Sequence, residues 1–139
     1  KTFTCVSTLK LVNPTHIHIV WGEVKQYLEN ALDHSGGEYS LEHLKMFIIQ
    51  GQQVLLLIIE EDKICGAVTV EWINYPNDRI AFITAIGGKT DKEGYELFFK
   101  WVKDSGGTAV RGAAFEAVAK LWKQKYGFKE TYIMVEKRL

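Results

Sequence analysis

Two cysteines and two prolines in 139 residues are too few for either type to organise the fold. Cys5 and Cys65 cannot make a disulfide framework, and their apolar, strand-like surroundings predict small buried side chains in a reducing compartment. An excess of one charge is missing as well. Seventeen basic and seventeen acidic residues cancel to a formal charge of zero, which argues against a nucleic-acid partner, since that role wants a basic footprint. Lys120, Lys123, Lys125 and Lys129 do crowd one segment, and a solvated helix face accounts for them. No apolar run reaches the roughly 18 residues that span a bilayer. The longest, Val54–Ile59, suits a buried strand. No signal-peptide pattern is present, so the cytoplasm is the simplest setting.

Several chemistries are excluded on the same footing. His16 and His18 are two apart on a helix and point away from each other, and no cysteine or carboxylate cluster accompanies them, so no metal site is expected. His34 and His43 read as surface residues. Ser35, Ser40 and Ser105 have no base partner in their sequence context, which leaves a serine hydrolase unsupported.

What is there is an ordinary globular composition, 47% hydrophobic and 24% charged, with length enough to bury a core in a single domain spanning residues 1–139. Thr2–Leu9 reads as a first strand. Asn13 followed by Pro14 offers a helix start, and Ile17, Val20, Trp21, Val24, Leu28 and Ala31 recur at helical spacing to about Leu32. Ser40 caps a second helix with Leu41, Leu44, Phe47 and Ile48 inward. The period then changes: Val54–Ile59, Ile64–Trp72 and Ile80–Ile86 read as strands, the first two joined by the tight turn Glu60–Lys63. Tyr95, Phe98, Trp101 and Val102 mark a third helix that ends at Asp104–Gly107. Thr108–Phe115 reads as a short strand. A last helix turns Ala114, Val118, Leu121 and Trp122 inward and stops at Gly127. Thr131–Glu136 closes the chain as a strand. No repeat, low-complexity tract or linker interrupts the order, which is β-α-α-β-β-β-α-β-α-β. A mixed sheet covered by helices follows.

The stretch Ala85–Gly94, "AIGGKTDKEG", joins a strand to a helix and contains Gly88-Lys89-Thr90. A Walker A loop needs a second glycine five residues before the Gly-Lys pair, and Ile83 stands there, so that reading fails. The position still matters physically. Thr90 with Glu93 forms a capping-box pattern. A helix start directly after a strand presents free amides and a positive dipole end, and Lys89 and Lys92 add charge. Gly87, Gly88 and Gly94 would let a ligand approach the backbone.

The whole order of elements resembles the GNAT superfamily of N-acetyltransferases, most clearly from "RIAFITAIGG" through "KLWKQKYGFKE". The resemblance implies an α/β (α+β) fold with a mixed, mostly antiparallel central sheet flanked by helices. It also implies acetyl-CoA as co-substrate. The family's pyrophosphate loop, Arg/Gln-x-x-Gly-x-Gly/Ala, falls on Lys89-Thr90-Asp91-Lys92-Glu93-Gly94, where Lys89 supplies the charge, Gly94 the last small residue, and Lys92 replaces the middle glycine. On this resemblance Thr84, Ala85 and Ile86 hold the thioester arm along the central strand, and Lys89, Thr90, Lys92, Glu93, Gly94 and Tyr95 hold the pyrophosphate.

A second landmark, Asn-x-x-Ala-x-x-x-Tyr-x-x-x-Gly-Phe, matches "EAVAKLWKQKYGF" at Ala119, Gly127 and Phe128. Glu116 stands at the Asn position, and Lys123 replaces the tyrosine that often protonates the departing thiolate. Tyr126 lies three residues further on. Where some branches carry a basic glutamate, Ile80 and Ala81 stand, which leaves Glu71 on the preceding strand as the candidate base. The resemblance thus implies acetyl transfer from acetyl-CoA to a primary amine on a small molecule or a protein. Short, motif-poor chains of this kind also look like those encoded in tailed-phage genomes, where the fold occurs as presumed acetyltransferases and among small virion proteins. The alternative is therefore a non-catalytic structural or interaction protein, in a host cytoplasm or a virion, with a homodimer or a phage or host protein as partner.

Overall fold

The computed structural model describes residues 7–33, 37–88, 91–114 and 116–139. Its strands are β1 (Ser7–Leu11), β2 (Val54–Glu60), β3 (Lys63–Asn74), β4 (Arg79–Gly88) and β5 (Ala109–Gly112). Its helices are α1 (Ile17–Asp33), α2 (Leu41–Ile49), α3 (Lys92–Asp104) and α4 (Glu116–Tyr126). The five strands form one sheet in the order β1-β2-β3-β4-β5, antiparallel through β4, with β5 parallel to β4.

Local chemistry explains the boundaries. Asn13 accepts a hydrogen bond from the Thr15 amide at 3.0 Å and starts a 3-10 turn, Pro14–His16, that feeds α1. Ser40 and His43 cap each other across the start of α2. The β2–β3 turn places Glu61 and Asp62 at φ 50° and 62°, the left-handed geometry that matches a tight hairpin to the twist of its strands.

The sheet is covered on both faces. Alternation along β3 sends Ala67 toward α1 and α2, where Trp21, Val24, Leu28, Leu44 and Ile48 join Leu55, Leu57 and Ala85 in one core. Val68 and Val70 face the other way, onto Tyr95, Phe98 and Val102 of α3 and Trp122 of α4. Leu28, Leu44 and Phe98 are essentially inaccessible, and burying such side chains stabilises by about 1.5–3 kcal/mol each.

Three sequence expectations are corrected here. The first strand runs beyond its expected end at Leu9 to Leu11; the described part is Ser7–Leu11, and the start of the expected span (residues 2–6, with Cys5) lies outside the described residues. On α4 only Trp122 is buried; Val118 and Leu121 are 44% and 41% exposed, because this side of the sheet narrows to the four-residue β5 and cannot cover a full helical stripe. Thr131–Glu136 is strand-like in sequence pattern but, among the described residues, pairs with no strand of the five-stranded sheet.

Candidate functional site

β4 carries the two irregularities that build the site. Thr69 of β3 pairs with Ala85 and Val70 pairs with Ile83, so Thr84 is an extra residue, a β-bulge. The bulge turns two successive residues, Thr84 and Ala85, toward α1 and α2, while Ile83 and Ile86 both face α3. The second irregularity follows at once. β4 pairs with β5 only from Ile80 to Ile83, opposite Ala109 to Gly112. From Thr84 to Gly88 the strand has β3 on one side and, among the described residues, no strand on the other, which leaves that side an open edge.

Two side chains hold this divergence. Gly112 ends β5 against the Trp122 ring, which a Cβ at that position would overlap. The indole Nε1 of Trp122 donates to the Tyr95 hydroxyl at 2.9 Å, tying α4 to the first turn of α3. Burial pushes the Tyr95 phenol above its ordinary pKa; the Trp122 hydrogen bond opposes that rise and neighbouring Tyr126 adds to it.

The bulge itself is anchored by a buried polar network. The Thr84 hydroxyl donates to Gln53 Oε1 at 2.6 Å and lies 2.7 Å from the Thr69 hydroxyl. Gln53 and Thr69 are almost fully buried. Burial raises the pKa of the nearby Tyr39 phenol, the carboxylate of Glu71 raises it further, the Gln53 side chain lowers it, and Glu38 adds a smaller rise. Gln53, Thr69 and Tyr39 were not singled out in the sequence. Their only trace there was a threonine or glutamine inside an otherwise apolar strand region.

The sequence-predicted residues separate into groups. Thr84, Ala85 and Ile86 lie on the open edge of β4, and Ile86 meets Gly94 and Tyr95 over one small apolar void. Lys92 and Glu93 open α3. The cap is Asp91, whose carboxylate accepts from the Gly94 amide at 2.9 Å, so the expected Thr90–Glu93 capping box is replaced. Glu93 instead accepts from the Ser7 amide at 3.1 Å and leans toward β1. The Gly94 and Tyr95 amides are used by the cap and the first helical turn, and the Tyr95 side chain is core, leaving the Lys92 and Glu93 amides at the helix mouth. Lys89 and Thr90 lie outside the described residues. The glycines expected to admit a ligand have another cause: a Cβ on Gly87 would strike the Tyr27 carbonyl, and one on Gly88, at φ 83°, the Cys65 carbonyl.

Glu71 is half-buried on the α1/α2 face, near Tyr39 and away from α4. Lys123 does not point into the opening; its ammonium pairs with Glu130 at 3.0 Å on the surface. Tyr126 packs, its ring stacked on Tyr95 at 4.1 Å between centroids. No group of three or more metal-ligating side chains exists among the described residues, and no helix there is long and apolar enough to cross a membrane.

This arrangement of a five-stranded sheet and its helices has clear counterparts in overall fold among solved structures. The aminoglycoside N-acetyltransferase AAC(6')-Iy in complex with CoA superimposes with a TM-score of 0.68 over 99% of this chain and 97% of that one. The fold is that of the GNAT acetyltransferases. Identity to that protein is 14%. A predicted acetyltransferase with acetyl-CoA from Clostridium acetobutylicum matches at TM-score 0.62 and 12% identity over 96% of both chains. The ribosomal-protein-alanine N-acetyltransferase from Brucella melitensis biovar Abortus 2308 matches at 0.67 and 11%, over 96% of this chain and 99% of that one. No protein-family model and no curated protein sequence matches the chain.

Proposed function

We propose that this chain, read as a single domain over residues 1–139, is an acetyl-CoA-dependent N-acetyltransferase that acts on a primary amine. The observation that carries the reading is the open edge of β4 from Thr84 to Gly88, ending at the start of α3. An extended amide-bearing arm can add to such an edge as a strand would, by backbone hydrogen bonds. The amides of Lys92 and Glu93, with the Lys92 ammonium and the loop positions Lys89 and Thr90, would take the pyrophosphate at the positive end of the helix. The carboxylates that the sequence places there do not stand free in its path: Asp91 caps Gly94, and Glu93 leans to Ser7.

Acetyl-CoA supplies an activated acyl carbon. The chain would supply orientation and a backbone amide at the bulge to polarise the thioester carbonyl. The amine approaches from the α1/α2 side, where Glu71 and the neutral Tyr39 phenol stand. The C–N bond forms as the C–S bond breaks, the amine proton passes toward Glu71 or water, and the thiolate leaves with a proton from solvent or from the Tyr126 hydroxyl. The matched acetyltransferases, one for aminoglycosides and one for a ribosomal-protein alanine, fit an amine acceptor of either size.

One observation favours a second reading. Lys123 occupies the position of the family's acid and is tied to Glu130, while Tyr126 is stacked in an aromatic cluster. A protein that keeps the fold but transfers nothing, acting through a phage or host partner, would tolerate both. Calorimetry and thermal unfolding with acetyl-CoA separate the readings. Binding to the native state raises Tm with ligand concentration, and Lys92→Glu should weaken affinity by about tenfold, about 1.4 kcal/mol. No Tm shift at millimolar acetyl-CoA overturns the transferase reading, and binding without thiol release across a panel of amines supports the second.

A further inference from the structure

The sheet face turned toward α1 and α2 is covered along only part of its length. The core on that face takes Leu55, Leu57, Ala67 and Ala85 and stops there. One cross-strand row lies beyond it. Val70, Ala81, Ile83 and Val110 all face α3 and α4, so alternation turns Glu71, Phe82 and Arg111 the other way. Strand pairing sets Glu71 opposite Phe82, and Phe82 opposite Arg111. All three side chains remain part-exposed. Opposite charges thus flank an aromatic floor, on backbones two strand spacings, about 10 Å, apart.

Neither charge is used within the fold. Among the described residues, Glu71 and Arg111 have no ion-pair or hydrogen-bond partner. Arg79, by contrast, is fully engaged: its guanidinium lies 3.7 Å from the Trp72 ring and donates to the Ser105 carbonyl and the Asn74 side chain. Beside Arg111 stand two rings, Tyr75 at 5.9 Å and Tyr132 at 5.8 Å. Ring contacts steady a guanidinium without consuming its N–H donors, and that free fork is the part that binds a carboxylate bidentately.

The row also has the right address. Phe82 is two residues before the Thr84 bulge, a distance of about 7 Å along a strand. Arg111 is the last residue but one of β5, at the point where β4 and β5 part. At the other end of the row Glu71 stands close enough to act on the Tyr39 phenol, and Glu38 adds a second carboxylate there.

We propose, building on the transferase reading above, that Arg111 binds a carboxylate of the acceptor, so that the substrate class is a primary amine carrying a carboxylate: an amino acid or a near relative. Its amine lies toward Glu71, its carboxylate on the Arg111 fork, and its carbon chain over Phe82. The same row selects against acceptors with several amines, because a second ammonium would be brought against the Arg111 cation.

Thiol release from acetyl-CoA is measured with L-alanine, L-lysine, L-phenylalanine and β-alanine, each against its own carboxamide. The wild type should favour the acids by about tenfold in kcat/KM, the scale of a charge-assisted hydrogen-bond pair. Arg111→Gln should erase that preference by raising KM for the acids, leaving kcat and the amides little changed. Arg111→Lys should restore part of it, as a charge without the planar fork. A guanidinium needed only for packing would move acids and amides alike; that result, or a wild type indifferent to the carboxylate, overturns the proposal. Calorimetry of the same acids and amides on the chain without acetyl-CoA keeps the two readings apart. Acids bound in preference to amides, with no acetyl-CoA binding, would sink the transferase reading and support the carboxylate site. Acetyl-CoA binding without any preference for acids would sink the carboxylate site alone.

Discussion

Trp122 and Tyr95 show how much a single buried pair can settle. The indole N–H donates to the Tyr95 hydroxyl, which sits where α3, α4 and the end of β5 converge. Tyr95→Phe keeps the ring and strands the buried N–H, so stability in urea should fall by about 1–3 kcal/mol. The pH response has a definite sign. Folding holds the phenolic proton more tightly than the unfolded chain does, so this contribution is intact below the ordinary value of 10.0 and is lost as pH rises through the raised native value. Alkaline unfolding monitored by fluorescence should show that loss in the wild type and a shallower slope in Tyr95→Phe. Gly87 is a second residue whose meaning is tertiary. Gly87→Ala should cost about 1–3 kcal/mol through overpacking against the Tyr27 backbone, and an unchanged unfolding midpoint would refute the packing account. Its sequence surroundings suggested room for a ligand at the backbone, whereas the atom that requires glycine there belongs to Tyr27 of α1.

At the scale of elements, most starts and stops were legible because they depend on neighbours along the chain. Asn13, Ser40 and Gly127 act where the sequence placed them, through caps and a left-handed turn that need a few residues of context. The start of α3 was legible to within one residue, but the capping side chain is Asp91. Asp91→Ala should destabilise the protein by about 0.5–2 kcal/mol. It should also leave acetyl-CoA affinity unchanged or raised, since it removes a carboxylate from the helix mouth; a marked loss of affinity, checked by calorimetry, would contradict the proposed placement of the pyrophosphate. The bulge was not legible. "AFITAI" reads as a plain apolar run, and the extra residue is defined only by which β3 residues stand opposite, Thr69 and Val70. Thr84→Val tests its anchoring: losing the hydroxyl leaves Gln53 and Thr69 short of a buried partner, at a cost of about 1–3 kcal/mol. Stability equal to wild type would show that the network does not hold the bulge.

Across the whole molecule, the order of strands and helices carried the resemblance to acetyltransferases when individual motifs were worn. That order is set by local periodicity and turn chemistry, so one sequence was enough to read it. The sequence by itself thus determined the sheet-and-helix class, the two covered faces, the exposed lysines and the strand-to-helix junction after β4. Tertiary structure alone decided where β4 and β5 part, that Gln53 and Thr69 converge on Thr84, and that the Lys123 ammonium pairs with Glu130 while the Tyr126 ring stacks on Tyr95. It also decided that Thr131–Glu136, a strand by composition, pairs with no strand among the described residues. The reason is common to all of these. Periodicity and caps are properties of consecutive residues, whereas an open edge, a bulge or an unpaired strand is a relation between segments that meet only once the chain has folded.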